Sequence, residues 1–440
     1  MKTLKNLSTL DACCWAKPTI KASFVASVVK ITGLVLTATV AFNAAAQPLE
    51  PVRLAFMDPL SGTFASVGNS GLKQLQFAAD YFYNSKGGIL GGRMIEILPL
   101  DNKQSPTETQ IQFRRAVSEG IQIIFQGNSS AVANTLNSTI SRHNRRNPDQ
   151  EVLQINYSAV DPILTEEECS FWHFRFDAHA VMKLDVLTDF IALNEDIKSV
   201  YIIGQDYSFG QVVSDTSIAM LNEKRPDIEI AGNEFHPIGQ VKDFTPYVTK
   251  IVSSGADAVI TGNFGADMVS LARSIIDSGL DIPIYTFYAA YDGITATLGA
   301  DGKNKIRLVH NESSNPFPTQ ARKDYTRAFK QANPNNDLTQ ARIHNALMMV
   351  VNAMEEAQST DPYDIALALE DMRFETINGD EIWMRGSDHQ IFQEIHVSVH
   401  TDEGVEFDAD NSGFGLVSEY KVPAEDTIRE TSCQMQRPRR

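Results

Sequence analysis

The feature that most constrains the fold of this chain is a regular alternation between short apolar runs and longer amphipathic stretches. Between residues 52 and 155, the short apolar runs occupy residues 52–56, 94–98, 121–125 and 153–155. The stretches between them carry apolar residues every three or four positions, as on one face of a helix. Strands that alternate with helices form βαβ units, whose parallel sheets are covered by helices on both faces. The sequence therefore predicts an α/β fold.

The same alternation restarts after a segment at residues 161–176 that is rich in aromatic and charged residues. Strands are predicted at residues 199–203, 228–231, 258–261 and 284–287, with helices at 209–221, 244–252 and 268–276. Two α/β units therefore follow one another. The next section is mostly helical, with an apolar stretch at residues 343–354, and it lacks strands for a sheet of its own. We expect it to cross back and complete the first unit.

These patterns divide the chain into a leader and two discontinuous lobes. Residues 1–46 are the leader, and residues 47–175 with 308–395 form lobe 1. Residues 176–307 with 396–440 form lobe 2 and a C-terminal tail. The length of 440 residues is enough for two or three compact units.

The leader has the features of a secretory signal peptide. Several lysines precede the apolar stretch 31–42, and small residues then lead up to Ala46. This apolar stretch is shorter than the roughly 20 residues that span a bilayer. We therefore expect export to the periplasm, cleavage near Ala46 and a soluble mature protein.

Charge and motifs exclude several classes of function. The formal net charge of -17 is the opposite of what a protein that neutralises nucleic-acid phosphates would carry. The sequence contains no phosphate-binding loop, no H-E-x-x-H, no dinucleotide-binding glycine pattern and no C-x-x-C. We therefore expect neither a catalytic centre nor a cofactor.

Histidines give no clear metal site. His396 and His400 share one face of an alternating segment at residues 391–399, but no third ligand lies nearby in sequence. We interpret this segment as a half-exposed strand and its histidines as a solvated edge. His173 and His179 are interpreted as packing residues.

Two cysteines remain once the leader, with Cys13 and Cys14, is set aside. Cys169 and Cys433 are too few for a structural metal site, and an exported protein favours their oxidation. We hypothesise a disulfide that ties the tail to the middle of the chain.

The turns that follow predicted strands are the candidate binding segments, because open α/β sheets bind ligands beyond the carboxyl ends of their strands. They lie at residues 58–65, 126–131, 157–162 and 204–210. In the second, Gly127 and Ser129 resemble a G-x-S-x-G nucleophile elbow with alanine in the last place. A hydrolase would use Ser129 as its nucleophile. The interpretation we favour is a helix N-terminus that binds a carboxylate.

Aromatic residues also gather at turns after predicted strands, within these segments and after the strands at 258–261 and 284–287. They are Tyr157, Tyr207, Phe209, Phe264, Tyr288 and Tyr291. Each could pack between the lobes. Together they would form an apolar wall for a small ligand.

The motifs, in order, resemble the branched-chain amino-acid-binding proteins, which are substrate-binding subunits of ABC importers. The resemblance rests on Asp-Pro-Leu-Ser-Gly at 58–62, the glycine-rich segment 87–93 and Ala-Val-Asp-Pro-Ile-Leu-Thr at 159–165. Phe-Arg at 174–175 and Asp-Tyr-Ser-Phe-Gly at 206–210 follow in the expected order. The resemblance implies two hinged Rossmann-like lobes of the type I periplasmic binding fold, and it covers residues 52–399.

The resemblance also implies how a ligand is held. Its carboxylate would meet the loops at 128–131 and 157–160, and its side chain would meet Phe209. In an ungapped comparison, Val160 replaces a threonine that helps hold the carboxylate. Tyr288 replaces the acidic residue that pairs with the ammonium group, although Asp292 is near enough in sequence to substitute.

We therefore expect a receptor that binds a branched-chain or related amino acid between its lobes and delivers it to a permease and ATPase of the inner membrane. The alternatives are an aromatic or aliphatic carboxylic acid as ligand, or a role as a ligand sensor. A monomer is expected. The predicted binding residues are Asn128, Ser129, Ser130, Ala131, Tyr157, Ser158, Ala159, Phe209, Phe264, Tyr288 and Tyr291.

Overall fold

The computed structural model describes residues 49–312 and 315–439. The predicted leader at residues 1–46, with its cleavage site, lies outside the described residues. None of the helices that the structure describes has the length and apolar character needed to cross a membrane. The described residues from 49 onward form one compact unit.

Strands and helices alternate broadly as predicted from residue 52 to residue 310, whereas the described chain from residue 320 onward has three successive helices and then five strands. The strands are β1 (Val52–Asp58), β2 (Ile95–Asp101), β3 (Ile123–Gln126), β4 (Leu153–Asn156), β5 (His173–Arg175), β6 (Ser199–Gln205), β7 (Glu229–His236), β8 (Ala258–Thr261), β9 (Ile284–Thr286), β10 (Ile306–His310), β11 (Arg373–Glu375), β12 (Glu381–Arg385), β13 (Gln390–Phe392), β14 (Ile395–Thr401) and β15 (Gly415–Val422). The helices are α1 (Ala65–Phe82), α2 (Pro106–Ser118), α3 (Ser130–Arg146), α4 (Ala180–Ala192), α5 (Ser208–Lys224), α6 (Thr245–Ser254), α7 (Ala266–Asp277), α8 (Ile294–Leu298), α9 (Gln320–Ala332), α10 (Ala341–Ala357) and α11 (Pro362–Leu369). Short 3-10 helices occupy Asn84–Lys86, Pro162–Leu164, Ala300–Gly302 and Ala424–Thr427.

The strands form two sheets with the same central order. Sheet 1 runs β2-β1-β3-β4-β5-β13-β12-β11, and sheet 2 runs β7-β6-β8-β9-β10-β14-β15. The first five strands of each unit pair in parallel, and the later strands add antiparallel pairs at one edge. The predicted α/β class is confirmed. In each sheet the strand order reverses between the first and third strands, which is where doubly wound sheets bind ligands.

Helix α10 completes the core of the first sheet, as expected from its apolar sequence. Ile343, Leu347 and Val350 are fully buried in the same hydrophobic cluster as the residues of β1, β3 and β4. The chain passes between the sheets after β5, again between β10 and β11, and a third time between β13 and β14. The predicted lobe boundaries stay a prediction, although the boundary at residues 307 and 308 falls inside β10.

The prediction for residues 391–399 was wrong. The segment is two strands rather than one, because β13 joins sheet 1 and β14 joins sheet 2. His396 and His400 are 3% and 1% exposed, because β14 lies between β10 and β15 and has no solvated edge. No strand was predicted at the position of β15, so β14 was expected to border solvent.

The hypothesised disulfide between Cys169 and Cys433 is present. The tail leaves sheet 2 after β15 and lies against residues that the sequence assigned to lobe 1. There Thr431 Oγ1 donates to the Thr165 carbonyl at 3.2 Å, and Arg437 pairs with Glu370 at 2.8 Å. The tail therefore joins the two sheets, although the sequence placed it with lobe 2.

Candidate ligand-binding site

The turns that follow the strands of both sheets surround a small cavity. The first sheet contributes the turns after β3 and β4, and the second contributes the turns after β6, β8 and β9. The lining residues are Gly127, Asn128, Ser129, Ser130, Ser158, Ala159, Tyr207, Phe209, Phe264, Tyr288 and Tyr291. The cavity lies at the carboxyl ends of the strands, next to the point where the strand order reverses in each sheet.

Most of the residues predicted from sequence line this cavity, and two do not. Ala131 lies at the wider mouth, together with Ser129 and Tyr207. Tyr157 is fully buried behind the lining, where its hydroxyl contacts Asp58. The prediction omitted Gly127 and Tyr207, although both lie in turns that the sequence identified. Binding by the predicted residues stays a prediction.

The first turn of α3 supplies hydrogen-bond donors at one end of the cavity. Ser129 is the N-cap residue, with φ 72° and ψ 117°, and its side chain makes no capping hydrogen bond. A left-handed φ is uncommon for a residue other than glycine and is found more often at ligand sites. The backbone N–H groups of the first helical turn lack partners within the helix. This end of the cavity is therefore suited to an anionic group.

A buried carboxylate holds the loop that leads into α3. Asp58 is fully buried and accepts hydrogen bonds from the backbone N–H groups of Asn128 at 2.9 Å and Gly127 at 3.3 Å. It also accepts from the Tyr157 hydroxyl, which in turn accepts from Asn128 Nδ2 at 3.1 Å. Burial raises the pKa of Asp58 to about 7, even though these hydrogen bonds lower it. The sequence showed Asp58 in a motif but did not indicate this supporting role.

Replacing Asp58 with asparagine is expected to flatten the pH dependence of stability. The pKa of Asp58 rises from 3.8 to about 7 on folding. Below pH 4 the carboxyl group is protonated in both the folded and the unfolded state, so it does not make the free energy of unfolding depend on pH. Between pH 4 and pH 7 the unfolded chain releases this proton while the folded protein keeps it, and the free energy of unfolding falls as the pH rises. Urea unfolding from pH 4 to pH 8 should show a smaller fall in Asp58→Asn than in the wild type.

The control for this measurement is Asp101→Asn, which should leave the pH dependence between pH 4 and pH 8 nearly unchanged. Burial acts to raise the pKa of Asp101, but hydrogen bonds from Ser61 and from the Leu60 and Lys103 backbone outweigh it, so the pKa is lowered. Its contribution to the free energy of unfolding is present above the unfolded pKa of 3.8 and is lost only as the pH falls below that value. Equal pH dependence in Asp58→Asn and the wild type would contradict the assignment.

Aromatic rings form the other side of the cavity. Phe209 lies 6.0 Å from Tyr288, and Phe264 lies 5.9 Å from the same ring, measured between centroids. Tyr288 and Tyr291 are stacked at 6.0 Å with an interplanar angle of 10°. Offset stacked and edge-to-face rings at these distances attract one another. The rings therefore make an apolar wall with a fixed shape.

No charged side chain is among the described residues that line the cavity. Asp292 is not one of them, because it accepts hydrogen bonds from the Asp337 backbone at 2.9 Å and from Asn336 at 2.7 Å. Tyr288 donates its hydroxyl hydrogen to the Ser158 carbonyl at 3.3 Å. Within the described part of the chain the lining also contains no histidine, so no imidazole there could act as the base for a Ser129 nucleophile.

Comparisons with known proteins agree with this geometry. A family model described as "Periplasmic binding protein" matches residues 51–402. The Leu/Ile/Val-binding protein homolog 4 of Brucella melitensis biotype 1 is 30% identical over 421 residues, which is 90% of this chain and 95% of the relative. A leucine-, isoleucine-, valine-, threonine- and alanine-binding protein of Pseudomonas aeruginosa is 22% identical over 75% of this chain and 85% of its own.

Solved structures share the fold over most of the chain. The leucine-, isoleucine-, valine-, threonine- and alanine-binding protein from Brucella ovis, in a closed conformation, has a TM-score of 0.77 at 27% identity and covers 89% of this chain and 100% of its own. A solute-binding protein of an ABC transporter from R. palustris, in complex with benzoate, has a TM-score of 0.73 at 16% identity and covers 87% and 99%.

Proposed function

Because the chain belongs to the periplasmic binding protein family, whose members bind solutes without transforming them, we propose that it is the substrate-binding subunit of an ABC importer for a small carboxylic acid that lacks an amine. We further propose that residues 1–46 direct its export to the periplasm and that it acts there as a monomer. The ligand would lie in the cavity between the two sheets and be passed to a membrane permease.

The absence of a carboxylate from the described residues of the cavity lining is the observation that carries this proposal. An α-amino acid would bring a buried ammonium group, and an unpaired buried charge costs several kcal/mol. The lining supplies hydroxyls, amides and aromatic rings but, among the residues described, no anion to pair with an ammonium group. A carboxylate, by contrast, can use the N–H groups at the start of α3 and the hydroxyls of Ser130 and Ser158.

The aromatic wall indicates the rest of the ligand. The cavity is small in this conformer, so the ligand would have few atoms beyond its carboxylate. Phe209, Phe264, Tyr288 and Tyr291 would surround an apolar or aromatic body. The benzoate complex of the R. palustris protein is a precedent for such a ligand in this fold.

A branched-chain amino acid is the second candidate, because the relative from Brucella melitensis is called a Leu/Ile/Val-binding protein homolog. It would use the same carboxylate end and the same apolar wall. It would need a partner for its ammonium group, and the Ser158 carbonyl, which already accepts from Tyr288, has one lone pair left to offer.

Contacts across the cavity mouth hold the two sheets together in this conformer. Phe64 follows β1 and lies 5.0 Å from Phe264, which follows β8, measured between ring centroids. Its ring fits against Gly239 and Gly265, where an added Cβ would come within 2.9 and 2.8 Å of it. A ligand that touches both sheets would shift the population towards this closed form.

The proposal is tested with a pair of ligands that differ only in the amine. 4-Methylpentanoate is leucine without its amino group, and benzoate represents the aromatic acids. We expect the two acids to raise the melting temperature of the protein, because a ligand at 100 times its Kd stabilises the folded state by about 2.7 kcal/mol. We expect leucine at the same concentration to raise the melting temperature much less, because leucine would bind with a higher Kd. Tighter binding of leucine than of 4-methylpentanoate would establish the second candidate instead.

A further inference from the structure

A buried cluster of three charged side chains lies behind the aromatic wall. Asp177 follows β5, Lys183 lies in the first half of α4, and Arg342 lies in the first turn of α10. Lys183 Nζ is 2.8 Å from Asp177 Oδ1 and 2.9 Å from Asp177 Oδ2. Arg342 Nε is 3.6 Å from Asp177 Oδ2. Asp177 and Lys183 are fully buried, and Arg342 is 5% exposed.

Both cations of this cluster contact the tyrosines that line the cavity. Arg342 Nη2 donates to the Tyr291 hydroxyl at 3.5 Å and to Gln340 Oε1 at 3.0 Å. Lys183 Nζ lies 5.8 Å from the centroid of the Tyr288 ring. Because the two rings are stacked on each other, the cluster contacts the same pair of rings that lines the cavity.

The cluster carries two cations and one carboxylate. Burial lowers the pKa of Lys183 to about 8 although Asp177 raises it, so the amine is mostly protonated at neutral pH. Burial also acts to lower the pKa of Arg342, but Asp177 and the nearby tyrosines outweigh it and the pKa is raised. Buried charges are screened by salt much less than charges at the surface. The wall therefore has an excess positive charge behind it.

We propose that Arg342 and Lys183, acting through Tyr291 and Tyr288, make the cavity select anionic ligands over zwitterionic ones. This inference rests on the proposed function. It adds that the cavity repels an ammonium group as well as lacking a partner for it. An anion is attracted by the excess charge, whereas the ammonium group of an amino acid is repelled by it. Both are positioning residues, because neither lines the cavity.

The test measures the ratio of the Kd for leucine to the Kd for 4-methylpentanoate by titration calorimetry. Arg342→Gln and Lys183→Met each bring the cluster to zero net charge. We expect each variant to lower this ratio about tenfold, which is about 1.4 kcal/mol of discrimination. Arg342→Lys keeps the charge and should keep the ratio.

Arg322→Gln is the matched control. Arg322 is 1% exposed, pairs with Glu312 at 3.1 Å and lines a different cavity. Its loss should lower stability in the same way but leave the ratio unchanged. If Arg342→Gln does not fold, Lys183→Met decides the question alone.

A wild-type ratio in every folded variant would overturn the charge selection and leave the proposed function standing. Failure of the wild-type protein to bind either acid would contradict the proposed function itself. A fall in the ratio in Arg322→Gln equal to that in Arg342→Gln would also overturn the inference, because the effect would then follow from lost stability.

Discussion

Replacing Gly127 with alanine is expected to lower the affinity for the ligand by about 100-fold or more, which corresponds to about 2.8 kcal/mol. A Cβ at this position would lie 2.6 Å from Tyr157 Cζ, far inside van der Waals contact. The Tyr157 ring cannot move aside, because its hydroxyl bonds to Asp58 and Phe56 stacks on it at 5.8 Å. The loop must move instead and take the start of α3 with it. Titration of the folded variant with 4-methylpentanoate measures the effect.

Gly232→Ala controls for overpacking alone. An added Cβ there would lie 2.2 Å from the Tyr201 ring, in the pairing between β6 and β7. Both substitutions are expected to reduce stability by about 1–3 kcal/mol. Only Gly127→Ala should reduce affinity, because Gly232 lies along a strand and not in a turn at the cavity. Normal affinity in folded Gly127→Ala would show that the start of α3 does not hold the ligand.

The alternating pattern of the sequence predicted the parallel strands and the turns of the site well. Each of these strands is a short apolar run, which can be recognised from neighbouring residues alone. A ligand site at the carboxyl ends of parallel strands follows from topology, so the alternation alone was enough to name the turns after β3, β4 and β6. Side-chain direction could not be predicted in the same way. Tyr157 points away from the cavity because Asp58, which is distant in sequence, accepts its hydroxyl hydrogen.

Features that depend on long-range pairing escaped the sequence analysis. The alternation at residues 391–399 fits a single strand, and only the pairing of β13 with β5 and of β14 with β10 separates it into two. The cluster of Asp177, Lys183 and Arg342 joins residues from three segments, and no local spacing indicates it. Missing β15 led directly to the wrong expectation for His396 and His400.

Removing the disulfide, by the double substitution Cys169→Ser and Cys433→Ser, is expected to lower the free energy of unfolding by about 3–5 kcal/mol. The bond joins residues 264 positions apart, so it restrains most of the unfolded chain. Urea unfolding of the wild type without reductant, compared with the double variant, measures the loss. Thiol titration of the denatured, unreduced mature protein should find no free thiol in the wild type.

We expect the polar contacts of the tail to contribute less than the bond, because most of them involve exposed or half-buried side chains. The ion pair of Arg437 with Glu370 joins side chains that are 49% and 14% exposed, and such a pair contributes about 0–1 kcal/mol. Arg437→Ala should therefore change stability little while the disulfide is intact, and it serves as the control. Reductant should destabilise the wild type but not the double variant. If the double variant were as stable as Arg437→Ala, the tail would be held by its surface contacts, and the covalent bond between Cys169 and Cys433 would add nothing to the fold.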